Sequence, residues 1–149
     1  MAILHLLCTT LSAQEAESVQ WLTFEQLEDS LALKSKKVFI DFYTDWCTYC
    51  RKMDKKVFSD KEVIDRLNES YFAVRMDAES IDTVRFEGQY FINDEVGNKR
   101  NPLHQLAQLL ALRDGKFVAP TMIVLDESFK VQKRYFWYLN RKKLMEALE

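Results

Sequence analysis

The sequence predicts an α/β domain: a central mixed sheet of at least four strands flanked by helices on both faces. Three observations carry this expectation. Val38 to Tyr43 and Thr121 to Leu125 are β-branched, aromatic or aliphatic runs with almost no polar alternation, as in strands covered on both faces. The segments between the strands carry capping residues followed by apolar side chains at helical spacing. Only 3 glycines and 2 prolines occur in 149 residues, so long irregular stretches and Pro-rich linkers are excluded. With 48% hydrophobic and 30% charged residues, the length suits one domain with one core.

Taken in order, Thr23-Phe24-Glu25-Gln26 is a capping box, and Phe24, Leu27 and Leu31 then share one face of a helix ending near Lys34. Val38 to Tyr43 is the first strand, with a carboxylate, Asp41, in its middle. Cys47 to Val57 contains no breaker and reads as a helix. Ser59-Asp60-Lys61-Glu62 is a second capping box, opening a helix that buries Val63, Ile64 and Leu67. Tyr71 to Met76 is the second strand. Glu79 to Arg100 reads as an insertion, near 79–101, with a hairpin of Thr83–Phe86 and Gln89–Ile92 around Glu87-Gly88 and then a polar loop. Asn101 as cap and Pro102 at the first helical position predict a helix through Leu110, ending near Asp114-Gly115. Thr121 to Leu125 and Val131 to Leu139 follow as strands, antiparallel because Asp126-Glu127-Ser128 is short, and Asn140 caps a last helix.

Charge names no partner: Lys+Arg 21 against Asp+Glu 23 leaves a formal net charge of −2. Neither Arg51-Lys52 with Lys55-Lys56 nor Arg141-Lys142-Lys143 is assigned to nucleic acid, each reading as the solvated side of a helix. A monomer is expected. Ala2 to Leu11 is an apolar run followed by Ser12-Ala13 and acidic Glu15 and Glu17, the pattern of a secretory signal. The expected division is a signal peptide over 1–13 and a domain over 14–149, which places the protein in the periplasm or another extracytoplasmic space. The first basic residue is Lys34, so the charged start of such a signal is missing, and a leader packed on the fold, with a cytoplasmic location, stays open. Leu7 before Cys8 argues against lipid attachment. Removing the leader would also remove His5 and Cys8, leaving Cys47, Cys50 and His104 as the thiols and the imidazole of the domain.

Trp46-Cys47-Thr48-Tyr49-Cys50 places a C-x-x-C at the start of a helix directly after a buried strand, the context in which that spacing signals redox chemistry. Unpaired N–H groups and the macrodipole at the helix start favour a thiolate at Cys47, the expected nucleophile. Cys50, one turn further in, is expected to be less exposed and to resolve the mixed disulfide formed at Cys47. Burial on the strand should raise the pKa of Asp41 and let it exchange a proton with Cys50; the alternative is a carboxylate satisfied by structural hydrogen bonds. In Ala119-Pro120-Thr121 the proline starts a strand, and a cis bond there would expose the backbone of Ala119 to an extended substrate. A zinc site lacks ligands, because only His104 and carboxylates accompany the two cysteines; no metal or organic cofactor is expected.

These residues resemble the thioredoxin family. Val38 to Arg51, VFIDFYTDWCTYCR, is similar to its active-site segment, and Ala119-Pro120-Thr121 to its cis-proline loop. The resemblance implies the thioredoxin fold, nucleophile Cys47, resolving Cys50, buried acid Asp41, and flanking Trp46 and cis-Pro120 near the dithiol. It also places Arg75 where the family often has a lysine near the buried acid. Val57 to Val63 is similar to exported thioredoxin-like proteins and to the C-terminal domain of the inner-membrane disulfide reductant. The family's Gly-Pro between the cysteines is replaced by Thr48-Tyr49, a dipeptide that tunes thiolate stability. The implied activity is reduction of client disulfides, with a membrane-embedded thiol electron donor as the second partner. An oxidase or isomerase of the same fold, or a redox-silent peptide-binding module, are the alternatives.

Overall fold

A computed structural model describes residues 17–149; the expected signal peptide lies outside the described residues. Among the described residues five helices, α1 (Phe24–Leu33), α2 (Thr48–Lys56), α3 (Lys61–Ser70), α4 (Gln105–Leu110) and α5 (Arg141–Ala147), accompany eight strands. Four of these, β1 (Lys37–Tyr43), β2 (Tyr71–Asp77), β7 (Thr121–Leu125) and β8 (Val131–Tyr135), form the central sheet in the order β2-β1-β7-β8. β1 runs parallel to β2 and antiparallel to β7, and β7 pairs antiparallel with β8, giving the mixed four-stranded sheet. The short strands β3 (Val84–Phe86) with β4 (Gln89–Phe91) and β5 (Leu112–Arg113) with β6 (Lys116–Phe117) form two separate hairpins.

The two-residue period of β1 sorts the core into two layers. Val38, Ile40 and Phe42 point to one face and pack with Phe24 and Leu27 of α1, Leu106 and Ala107 of α4, and Phe86 of β3. Phe39 points to the other, against Met53 of α2, Val63 and Leu67 of α3, and Leu144 of α5. Asp41 shares the face of Phe39, so its carboxylate is directed into the layer covered by α2. Alternation on a buried strand therefore decides which helix the carboxylate faces.

Four boundaries differ from the expectation. The cap of α3 is Asp60, whose side chain accepts from the N–H groups of Glu62 and Val63; Ser59 instead donates to the Lys55 carbonyl. Arg141 makes an ion pair with Asp60, which favours the one-residue shift. The fourth helix begins at Gln105, not after Asn101, because the buried His104 caps it: Nδ1 accepts the Leu106 N–H at 3.2 Å, and Nε2 lies 3.0 Å from the Asp82 carbonyl. Those contacts fix a neutral imidazole with its proton on Nε2, and burial lowers the His104 pKa in the same sense. This helix ends at Leu110 rather than near residue 114, because Asp114 and Gly115 both adopt positive φ, 50° and 74°, and turn the chain into the β5–β6 hairpin. The last strand stops at Tyr135, four residues short of Leu139.

Asn93 ties the two ends of the insertion together. Asn93 Nδ2 donates to the carbonyls of Pro102 at 2.9 Å and Ser80 at 3.1 Å, and its Oδ1 accepts the Glu95 N–H at 3.2 Å. Asn93→Ala removes the partner of these half-buried groups and is expected to cost about 1 kcal/mol. Urea unfolding, with amide exchange concentrated in residues 79–104, is the measurement; unchanged protection there would refute a structural role for the amide.

Candidate active site

The chain leaves β1 at Tyr43, turns through Thr44, Asp45 and Trp46, and enters α2 with Cys47 as its N-cap. The helix therefore begins at Thr48, and Cys47 occupies the position where a side-chain acceptor is wanted. Its Sγ fills that role, accepting the backbone N–H of Cys50 at 3.1 Å. Cys47 and Cys50 are joined as a disulfide with Cα atoms 5.3 Å apart. The two cysteines are almost equally covered, 4% and 3% exposed, so the expected difference in exposure is absent from the oxidised pair. They differ instead in donors, since an N-terminal N–H points at Cys47. In the reduced protein that N–H and the helix start favour negative charge on Cys47.

Asp41 is 2% exposed, and burial pushes its carboxyl from 3.8 up to about 7, with Asp54 adding to the rise and Arg75 opposing it. The β1–β2 register sets Arg75 beside Asp41, on the same face. Arg75 Nε lies 3.3 Å from Asp41 Oδ2, within ion-pair range but not aligned as a hydrogen bond, while Nη2 reaches Asp54 at 2.8 Å. Its guanidinium lies over the Tyr43 ring at 4.5 Å and the Trp21 ring at 5.5 Å. One arginine thus links the buried carboxylate to a half-exposed one. A cleft of about 290 Å³ lined by Cys50, Asp54, Arg75, Tyr43 and Thr44 opens this region to water. Asp54 is absent from the sequence reading, although its place four residues after Cys50 puts both on one side of α2.

Trp46 and Tyr49 flank the disulfide and are 57% and 58% exposed. Trp46 Nε1 donates to the Glu79 carboxylate at 3.1 Å, and Asn101 Nδ2 donates to the same group at 3.0 Å, so the insertion reaches the site from one side. Glu79, 33 residues from Trp46, had no local signal by which sequence could have found it. Thr48 lies on the exposed side of α2 with its hydroxyl toward Arg51, and Tyr49 packs on Tyr138 with centroids 6.1 Å apart. The Ala119–Pro120 bond is cis, and Thr121 pairs with Phe42, so Pro120 stands at the sheet end where β1 delivers the chain to Cys47. No group of three or more His, Cys, Asp or Glu side chains among the described residues could hold a metal ion.

Residues 24–149 match the family described as the thioredoxin-like domain. The chain belongs to the thioredoxin-like family. This thioredoxin-like chain is 33% identical over 70 residues to the thiol:disulfide interchange protein DsbD of Vibrio cholerae, covering 43% of the chain and 12% of that relative. It spans about a tenth of the length of the curated relatives it matches. Among solved structures, a thioredoxin from Thermus thermophilus aligns with TM-score 0.60 at 20% identity, over 88% of this chain and 85% of that one. The oxidised DsbD C-terminal domain of Neisseria meningitidis aligns with TM-score 0.55 at 19% identity, over 83% and 87% of the two chains. At such identities the structures establish the fold. The chain thus joins the fold of thioredoxin-like oxidoreductases to a C-x-x-C pair that closes as a disulfide.

Proposed function

We propose that this thioredoxin-like domain reduces disulfides of client proteins through a mixed disulfide at Cys47 that Cys50 resolves. The observation that carries the reading is the Cys47–Cys50 disulfide at the helix start together with a buried Asp41, on the face of β1 that α2 covers, whose carboxyl titrates near neutrality, at about 7. The Cys47 thiolate attacks one sulfur of the client disulfide and expels the other as a thiolate. Cys50, losing its proton toward Asp41 through water in the cleft, then attacks Cys47 Sγ and releases the second client thiol. Two electrons reach the client and the Cys47–Cys50 disulfide remains. A carboxyl with a pKa near the working pH accepts and returns that proton at little cost. Trp46, Thr48 and Tyr49 form the rim against which the client packs, and the Ala119 backbone beside cis-Pro120 pairs with it as an extended strand. Arg75 holds Asp41 in place.

Each turnover needs a dithiol to reduce the pair again. The likeness to DsbD, named for thiol:disulfide interchange, supports a membrane-embedded thiol donor and work outside the cytoplasm. No helix among the described residues is long and apolar enough to cross a membrane. Equilibration with glutathione or dithiothreitol buffers tests the direction. A reduction potential near the roughly −270 mV of thioredoxin is expected, whereas about −120 mV would mark an oxidase. A pair that never titrates would favour a peptide-binding module.

A further inference from the structure

The outward side of α2 carries Arg51, Lys52, Lys55 and Lys56, all exposed, and with Thr48 they line a shallow cleft of about 250 Å³ starting one residue after Cys47. Among the described residues none of the four forms an ion pair. Arg51 donates to neutral acceptors, the Asp45 carbonyl at 2.6 Å and the Thr48 hydroxyl at 3.4 Å. Lys52 lies over the Tyr138 ring at 4.7 Å. The helix's one carboxylate, Asp54, is turned away to Arg75. Four uncompensated positive charges thus stand within two turns of the dithiol on a chain of net charge −2.

Helix electrostatics account for half of this arrangement. Lys55 and Lys56 lie in the last turn, where cations complement the macrodipole. Arg51 and Lys52 lie at the middle of the nine-residue helix, beyond the reach of either end of the macrodipole, so helix electrostatics does not account for them. The Trp46 side of the dithiol carries an acid instead, Glu79, which accepts from the Trp46 indole. A single-sign face next to a reacting centre selects and orients a partner of opposite charge.

We propose that this face of α2 docks an acidic segment of the protein whose disulfide or dithiol engages Cys47, an inference that rests on the oxidoreductase reading and adds the charge of its partner. The experiment uses the full chain and two peptides with the same disulfide, one flanked by glutamates and the other by lysines. Neutral hydroxyethyl disulfide is the reference. Exchange with the acidic peptide, normalised to the reference, is expected to be about tenfold or more faster at low salt. That preference should shrink as salt approaches about 0.5 M and the Debye length falls below the reach of the face. Lys55→Glu with Lys56→Glu, far from the sulfurs, should abolish or invert it, with circular dichroism checking the fold.

Equal normalised rates for the two peptides, or a preference that survives charge reversal, overturns the docking proposal. Binding of phosphatidylserine-rich vesicles without any peptide preference also overturns it, assigning the face to a membrane surface. Failure of the unmodified protein to exchange with hydroxyethyl disulfide instead overturns the oxidoreductase reading itself, so the two failures are distinguishable.

Discussion

Cys50→Ala is expected to turn the protein into a trap that accumulates as mixed disulfides with its clients, while Cys47→Ala should reduce insulin no faster than buffer. The asymmetry follows from the cap. The hydrogen bond to Cys47 Sγ comes from the backbone N–H of residue 50, which alanine retains. The nucleophile of the Cys50→Ala variant therefore keeps its stabilised thiolate and loses only the thiol that would displace the client. Non-reducing electrophoresis and intact mass should show adducts that dithiothreitol dissolves. Cys47→Ala leaves Cys50 buried at 3% exposure and without that donor, so adducts should be absent. Wild-type turnover by Cys47→Ala, or equal trapping by both variants, would sink the assignment of roles.

The central sheet was legible in the sequence because its inner strands β1 and β7 are covered on both faces and the helices carry local caps, and both signals act over a few residues. The same locality explains the errors. Asn101-Pro102 is a good helix start in isolation, but Asn93 draws the Pro102 carbonyl into a network spanning the insertion, and His104 offers an imidazole cap three residues later. Ser59 and Asp60 are both competent caps, and the ion pair to Arg141, 81 positions on, favours Asp60. The site divides likewise. Cys47, Cys50 and Asp41 lie on consecutive elements and announce themselves by spacing. Asp54 and Glu79 enter through contacts with Arg75 and Trp46 that exist only once the chain has folded.

Asp41→Asn is expected to make the protein more stable and less active, with a stability gain that appears as pH rises from 3.8 through about 7 and persists above it. Burial is the main cause of the shift from 3.8 to about 7, with Arg75 offsetting part of it and Asp54 adding to it. Below the ordinary value of 3.8 the group is protonated in folded and unfolded chains alike and costs nothing. Between 3.8 and about 7 the unfolded chain releases the proton and the folded chain retains it, so stability falls as pH rises and levels off above the folded value. A difference of about three pKa units corresponds to a ceiling of about 4 kcal/mol at 1.4 kcal/mol per unit. Asparagine removes the titration but loses the contact with Arg75, which keeps Asp54 as a partner. The net gain should therefore be about 2–4 kcal/mol at pH 8, vanishing near pH 4, as read by urea unfolding across pH. Client reduction should fall by about 10²-fold, and the inflection near neutrality should leave the pH-rate profile, because the variant has no carboxyl to take the Cys50 proton. A variant that is less stable than wild type at pH 8 would mean that Asp41 is held there as a structural anion. The same carboxylate would then be a fixed partner of Arg75, and the proton would have to leave Cys50 by another route, with Asp54 at the mouth of the cleft the group in position to take it.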